Sequence, residues 1–370
     1  MTDPIMQATQ HKSLQRVLIM AGGTGGHIFP GLAIAHYLRE QGLDVHWLGT
    51  TQGMEARLVP EANFPLHMID IGGLRGKGIK TLLTAPLKIT AAVWQALKVM
   101  KTVKPDVVIG LGGFVSGPGG IASWITGRPL IIHEQNAKAG STNKILSLFA
   151  KRILEGFPSA FKPGARVVTI GNPVRSEIAN LPPPDQRLDA KRKPLRLLVL
   201  GGSLGAQALN DIVPRMLSKL IEAERPQVLH QTGDKHFAAA KIAYESMQIQ
   251  ADLKPFIKDM ANAYGWADVV LCRAGALTVA ELSAVGLGAI FVPFPHAVDD
   301  HQTVNAQYMV RNQAALCIQQ SELTADKLAD IVKQFVVAPQ KCIAMAEAAY
   351  ELRKINVVEQ VYDICKEVCR

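Results

Sequence analysis

An α/β fold with two doubly wound domains is predicted by three features of the sequence. Strand-like apolar runs are followed by small-residue turns and then by amphipathic stretches, the order strand, tight turn, helix. That order is built twice, once from Arg16 in RVLIMAGGTGGHIFPGLAIAHYLREQG and again from Leu195 in LRLLVLGGSLGAQALNDIVPRMLSKL. The length of 370 residues also exceeds what one hydrophobic core usually serves, so the repeat reads as two domains.

The later elements keep the correspondence. PDVVIGLGGFVSGPGG (105–120) is echoed by ADVVLCRAGALTVAE (267–281), and RPLIIHEQN by LGAIFVPFPH. The paired segments are unequally spaced, which indicates one architecture with different loop lengths. Between the halves, NPVRSEIANLPPPDQRLDAKRKP breaks all periodicity with three consecutive prolines and a charge cluster, and reads as the linker. The expected boundaries are 1–174 and 175–349. A final stretch from about Ala344 reads as helix, and its end at about 350–370 can pack back on the first domain. Ligands of open parallel sheets bind beyond the carboxyl ends of the strands, so both sets of glycine loops are expected at a common cleft.

Composition restricts the function classes. A hydrophobic fraction of 48% with 19% charged residues belongs to a folded chain rather than a disordered one. A formal charge of +9 favours anionic partners: nucleic acid, phosphorylated metabolites or an acidic membrane surface. The five cysteines form no CxxC pair, and the first fifteen residues, MTDPIMQATQHKSLQ, lack the apolar stretch of a signal peptide. No run approaches the ~18 apolar residues of a membrane span. The chain reads as cytosolic, meeting a membrane only from the side.

Several chemistries fail on spacing. Starting at Gly23, the dinucleotide pattern G-x-G-x-x-G needs a glycine where Ile28 stands, and VHWLGTT ends without a ribose-holding acid. The GK pair at Gly76 and Lys77 is followed by Gly78, which excludes a Walker A loop. HEQN (133–136) resembles a zinc-protease start, but Ala137 occupies the second histidine position. GGSLG (201–205) satisfies the nucleophile elbow G-x-S-x-G, so a serine hydrolase using Ser203 with His296 or His301 remains an alternative. That alternative leaves GGTGGH without a role. Phosphate binding explains both loops, because bare backbone amides at a helix start approach an anion closely and add the positive helix end. Tight turns alone are the plainer reading, but they seldom need as many glycines as GGTGGH and GGFVSGPGG supply.

Taken together, GGTGGHIFPGLAIA, GLRGKG (73–78), GGFVSGPGG, HEQN, GNPVR (171–175), GGSLGA, CRAGALTVAE (272–281) and DDHQTVNA (299–306) resemble the lipid-linked N-acetylglucosaminyltransferases of peptidoglycan synthesis, the MurG type. The resemblance runs in order from about Arg16 to Ala306. It implies the two-domain GT-B fold and an inverting transfer of N-acetylglucosamine from UDP-N-acetylglucosamine to undecaprenyl-diphospho-N-acetylmuramoyl-pentapeptide. It implies no cofactor, no metal and no nucleic acid, a peripheral position on the cytoplasmic face of the bacterial plasma membrane, and other cell-wall synthesis proteins as partners. A UDP-N-acetylglucosamine 2-epimerase is the alternative sharing fold and donor. The donor is placed in the C-terminal half and the acceptor in the N-terminal half.

By the same resemblance, donor contacts fall on Thr24, Gly25, Gly26, Asn136, Arg175, Ser203, Ile257, Ala276, Leu277, Thr278, Val279, Ala280, Glu281 and Gln302. Glu281, read as lying in a helix's first turn, suits both ribose hydroxyls, and Ile257 is expected to meet the uracil through its backbone. Gln302 is the better donor contact than His301, which stands where relatives carry glutamine. Inversion needs a base for the acceptor hydroxyl. His27 on the glycine loop is the candidate, able to titrate near neutrality, and Glu134 is the alternative. Behind GLRGKG, Leu83, Leu87, Val93 and Trp94 fall near one helical face, with Arg75, Lys77, Lys80 and Lys88 close by. That face is either a core stripe or a membrane-docking patch, and a lipid acceptor favours the membrane.

Overall fold

A computed structural model of the chain describes residues 13–72, 79–202, 205–295, 297 and 300–369, with residues 79–83 as backbone alone. The chain divides into two compact units. The first runs to Gln135 and adds Ala139–Pro173 and Asn356–Arg370; the second comprises Asn136–Lys138 and Val174–Ile355.

The first unit holds seven parallel strands: β1 (Arg16–Ala21), β2 (Asp44–Gly49), β3 (Leu66–Met68), β4 (Val107–Gly112), β5 (Leu130–Glu134), β6 (Arg152–Glu155) and β7 (Val167–Thr169). Their order is β3-β2-β1-β4-β5-β6-β7. The intervening helices are α1 (Gly25–Glu40), α2 (Glu55–Glu61), α3 (Ile79–Val103), α4 (Ser116–Ile125) and α5 (Ser141–Leu146). Both faces of the sheet are covered, which is why RVLIM is continuously apolar instead of alternating. Val17, Ile19 and Ala21 enter one core with Ile28, Ile34 and Leu38 of α1. Leu18 and Met20 enter the other with Ala92, Ala96 and Met100 of α3.

The second unit repeats the design with β8 (Arg196–Leu200), β9 (Gln227–Gln231), β10 (Asp252–Lys254), β11 (Val269–Cys272), β12 (Ala289–Phe291) and β13 (Ala315–Cys317), ordered β10-β9-β8-β11-β12-β13. Its helices are α6 (Ser176–Ala179), α7 (Pro184–Arg187), α8 (Gln207–Lys219), α9 (Phe237–Ser246), α10 (Met260–Trp266), α11 (Ala276–Val285), α12 (His301–Val310), α13 (Ala325–Val337) and α14 (Gln340–Glu351). In each sheet the strand order reverses beside the first strand, at β1/β4 and at β8/β11. A ligand crevice forms at such a reversal, beyond the carboxyl ends of the strands. The loops leaving those four strands are GGTGGH, GGFVSG, GGSLGA and CRAGA.

Two expectations are corrected here. The proline-rich segment is not a free linker: α6 lies on α10 and α11, and α7 on α14, all in the second unit. Its prolines cut it into four-residue helices, and its charges are anchors. Arg187 donates to the carbonyls of Tyr264, Ala267, Val285 and Gly286, and Arg192 pairs with Asp268 at 2.9 Å. The final helical stretch is also two helices. Helix α14 ends, and after five residues α15 (Val357–Cys369) begins, which lies on α1 and β4 of the first unit and buries Val357, Val361 and Cys365.

Candidate active site

In the first unit, the strand-to-helix turn sets the position of His27. Thr24 is the N-cap of α1, and its carbonyl accepts from His27 N at 3.1 Å and Ile28 N at 3.3 Å. The Thr24 hydroxyl does not cap the helix; it stands 3.3 Å from His27 Nδ1. The imidazole edge lies over Gly112 at the end of β4, where an added Cβ would come within 2.9 Å of His27 Nε2. Gly112 and Gly113 take φ of 107° and 80°, and a Cβ on Gly113 would run into Gly22 O. The loops after β1 and β4 therefore touch main chain to main chain, a contact that only glycine permits.

Other glycines of these motifs have a different purpose. Gly119 and Gly120 lie inside α4, against Met20 and Leu48 and against Leu146 respectively, and Gly31 of α1 lies against Trp47. Close contact between elements, not anion binding, accounts for the PGG end of GGFVSGPGG. The sequence reading also missed Glu55. This fully buried carboxylate accepts from Gly23 N and Thr50 N, each at 3.0 Å, and from Thr50 Oγ1 at 2.7 Å, fixing the underside of the GGTGGH turn. Its only sequence signal is an acid two residues after Gly53.

Glu134, the alternative base, ends β5 and is buried. Its Oε2 accepts from Gly140 N at 3.0 Å and Asn143 Nδ2 at 2.9 Å. Its neighbour His133 is fully buried, donates from Nε2 to Gly171 O at 2.9 Å, and takes Gln135 Nε2 on Nδ1 at 3.0 Å. Burial holds this imidazole below its usual pKa, and therefore neutral.

In the second unit, Glu281 is the centre of a polar cluster. Its Oε1 takes Arg175 Nη2 at 3.2 Å and its Oε2 takes the Tyr264 hydroxyl at 2.9 Å. Because α11 begins at Ala276, Glu281 stands on its second turn, which corrects the first-turn expectation: side-chain partners, not the helix dipole, hold the carboxylate. Burial raises its pKa, while Arg175 and Tyr264 oppose the rise. Gly275 caps α11 without a side chain, and Val279 is the residue whose N–H returns to Gly275 O. The N–H groups of Ala276, Leu277 and Thr278 thus precede the helical bonding pattern, as at any helix start. Val279 is buried, and Ala280 and Thr278 are half-buried.

The Ile257 N–H donates to Gln231 Oε1 at 2.8 Å, and Gln231 Nε2 donates to Gly202 O at 3.0 Å, so one buried amide ties the loop after β10 to the glycine loop. Ser203 lies outside the described residues, as do Arg75, Lys77 and His296 and the side chains of Lys80 and Leu83. Gln302 Oε1 accepts from Phe294 N at 2.9 Å, and His301 opens α12 beside it. Asn136 clusters with the second unit, where its Oδ1 accepts from Asn305 Nδ2 at 3.3 Å; Asn305 Oδ1 takes Ala137 N at 2.8 Å. Gln231, Tyr264 and Asn305 were not singled out in the sequence, although Asn305 falls inside DDHQTVNA.

On α3 the core-facing stripe is Ala85, Ala92, Ala96 and Met100. Leu87 and Trp94 point outward, 76% and 58% exposed, with Val93 half-buried and Lys88 exposed. Lys98 Nζ sits 3.4 Å from the Trp94 ring centroid. α4 and the segment at α5 also carry exposed apolar side chains, Trp124 and Ile125 in the first and Ile145 and Leu148 in the second. No helix among the described residues is long and apolar enough to cross a membrane.

Residues 17–155 match the glycosyltransferase family 28 N-terminal domain, and residues 196–367 the family 28 C-terminal domain. The chain is 51% identical, over 95% of its length and 97% of the relative's, to a UDP-N-acetylglucosamine:N-acetylmuramyl-(pentapeptide) pyrophosphoryl-undecaprenol N-acetylglucosamine transferase of Marinobacter nauticus. The chain belongs to glycosyltransferase family 28. A transferase of the same name from Coxiella burnetii is 50% identical over 96% of this chain and 99% of its own. The crystal structure of Acinetobacter baumannii MurG matches with a TM-score of 0.84 and 42% identity, covering 95% of this family 28 chain and 99% of that one. The fold is therefore GT-B. A UDP-N-acetylglucosamine 2-epimerase structure from Listeria monocytogenes matches with a TM-score of 0.67 at 12% identity, a likeness of fold alone.

Proposed function

We infer that this family 28 enzyme transfers N-acetylglucosamine from UDP-N-acetylglucosamine to the 4-hydroxyl of the N-acetylmuramoyl unit of undecaprenyl-diphospho-muramoyl-pentapeptide, making the lipid-linked disaccharide of peptidoglycan. The observation that carries this reading is the 51% identity across 95% of the chain to a transferase named for that reaction. The epimerase likeness, at 12% identity, supplies no comparable warrant.

In the proposed mechanism the muramoyl oxygen attacks the anomeric carbon of the donor. The bond from that carbon to the diphosphate breaks, and UDP leaves with the electron pair. His27 Nε2 takes the hydroxyl proton. For that Nε2 must be unprotonated, so Nδ1–H donates to Thr24 Oγ1, the partner it has at 3.3 Å. Glu134 remains the alternative base, but its Oε2 already accepts from Gly140 N and Asn143. The second unit takes the donor. Glu281, braced by Arg175 and Tyr264, receives the ribose hydroxyls, and Ile257 presents its main chain to the uracil. In the second unit the N-terminus of α11 offers Ala276, Leu277 and Thr278 to the phosphates; in the first unit Thr24, Gly25 and Gly26 at the start of α1 are the proposed donor contacts. Ser203, Asn136 and Gln302 complete the contacts to phosphate and sugar. The outward face of α3 docks the enzyme on the cytoplasmic surface of the membrane that carries the acceptor.

The deciding experiment supplies radiolabelled UDP-N-acetylglucosamine and the lipid-linked muramoyl acceptor. Label is expected in the lipid phase, dependent on both substrates. Turnover of the donor to its 2-epimer without acceptor would instead favour an epimerase. Labelling of Ser203 by a fluorophosphonate would favour a hydrolase.

A further inference from the structure

We propose that Gln231 is a positioning residue for the donor, holding the loop after β8 and the loop after β10 at a fixed offset through its side-chain amide. This rests on the reading that the second unit takes UDP-N-acetylglucosamine, with Ile257 at the uracil and the β8 loop at the phosphates. Gln231 is the last residue of β9, which lies between β8 and β10. It is 5% exposed, and its register partners are Leu200, the last residue of β8, and Lys254, the last residue of β10. The three strands therefore end level with one another at Gln231.

Past that level the main-chain ladder runs only a short way. Thr232 N and Gly233 N still donate to Lys254 O and Pro255 O, each at 3.0 Å, but the Ile257 N–H turns to a side chain. A carboxamide carries the same donor and acceptor as a peptide group, so Gln231 continues the ladder sideways in both directions. Its Oε1 accepts from Ile257 N at 2.8 Å, and its Nε2 donates to Gly202 O at 3.0 Å. These partners fix the amide's orientation, because a turned amide would set oxygen against oxygen at Gly202 and N–H against N–H at Ile257. Ile257 is buried, so its N–H has no ready substitute in solvent, and a buried donor left unpaired is costly.

Neighbouring contacts hold one loop each. An added Cβ on Gly205 would come within 2.1 Å of Thr232 O, and Asn210 Nδ2 of α8 donates to the same carbonyl at 3.0 Å, which seats the β8 loop on the end of β9. Neither contact reaches Ile257, whereas Gln231 bonds to both loops. UDP is a single ligand whose uracil and phosphates must meet the two loops together. An offset set before binding leaves less to be ordered when it arrives.

The test compares uridine with UDP by calorimetry on the full-length protein and on Gln231→Met, which keeps the side chain's length and removes both hydrogen bonds. Uridine engages the loop after β10, and UDP engages both. Kd for UDP should rise about tenfold or more, and Kd for uridine by a smaller factor. KM for UDP-N-acetylglucosamine should follow UDP, while kcat at saturating donor stays within about threefold. Unchanged UDP affinity would make the amide structural only, and equal losses for uridine and UDP would confine it to one loop; either result overturns the proposal. Hydrogen exchange on the wild type decides if the methionine variant does not fold: uridine should slow exchange in the segment leaving β8 as well as around Ile257, and protection around Ile257 alone would overturn the proposal. If the wild type binds neither uridine nor UDP, the donor reading fails by itself, and ligand-free exchange still tests the tie. Both segments should then exchange about tenfold faster in Gln231→Met, and unchanged rates would overturn it.

Discussion

Glu281 shows how a single side chain is held against its own preference. Burial favours the neutral acid, and Arg175 and Tyr264 restore the carboxylate. Glu281→Ala should raise the donor KM, since losing a hydrogen bond to a charged group is worth about 1.5–3 kcal/mol, roughly 10- to 100-fold. Glu281→Gln keeps an acceptor for the Tyr264 hydroxyl and should fall between; an unchanged donor KM in the alanine variant would move the ribose elsewhere. Two histidines make a second prediction. Burial lowers the pKa of His133 in the first unit, and that of His230 in the second to about 3. Folded values below the unfolded 6.5 mean that the associated stability is complete above pH 6.5 and falls with pH below it, for His230 until about 3. The His230 slope approaches about 1.4 kcal/mol per pH unit, and His133 adds in the same direction. Urea unfolding between pH 7 and 5 should show it, and His230→Gln should flatten it. At this scale the sequence was legible where backbone chemistry dictates identity, as with the glycines around His27. It was not legible for Tyr264, Asn143 or Gln231, because their partners are brought near only by the fold: 17 residues on for Tyr264 to Glu281, and 26 for Gln231 to Ile257.

Among the elements, α3 shows what periodicity can and cannot decide. The stripe containing Leu87 and Trp94 was visible in the sequence, but hydrophobicity alone does not say which face turns inward. Residue size settles it. Ala85, Ala92 and Ala96 give α3 a small-residue inner face, with α4 as its closely packed neighbour, and the larger Leu87 and Trp94 are left outside. Thr90, three residues after Leu87 and four before Trp94, is exposed on that outward face and interrupts its apolar run; its hydroxyl donates to Pro86 O at 2.9 Å. Each exposed apolar side chain inserted into a bilayer contributes up to about 1.5 kcal/mol or more, and each basic residue near an anionic surface about 1 kcal/mol. Reversing the charges of Lys80 and Lys88 together should weaken sedimentation with anionic vesicles and use of the long-chain acceptor. Transfer to a short-chain soluble analogue should be spared. Undiminished vesicle binding would place the docking surface elsewhere. Glycines were over-read at the same scale. Gly119 and Gly120 are there so that α4 can lie against β1 and α5, a need that strand-to-helix pattern alone does not reveal.

Across the whole molecule, the doubled strand-turn-helix order was legible because each parallel sheet is covered on both faces and so writes its strands as continuous apolar runs. The route of the chain at its end was not, because an amphipathic helix does not state which core receives it. α15 leaves the second unit's sequence and completes the first unit's core: Val357, Val361 and Cys365 are buried with Ile34, Ala35 and Leu38 of α1. At about 1.5–3 kcal/mol for a fully buried apolar side chain, these three residues contribute roughly 5 kcal/mol, comparable with the entire net stability of a modest domain. A chain ending at Ile355 should therefore lose the first unit selectively. In calorimetry and limited proteolysis the 196–355 region should keep its transition and its protease resistance, while 13–173 unfolds at much lower temperature or is digested. Val361→Asp in the full-length chain should do the same, by burying an unpaired charge against α1. A truncated protein in which both regions stay equally resistant would mean that α15 is dispensable to the core it fills.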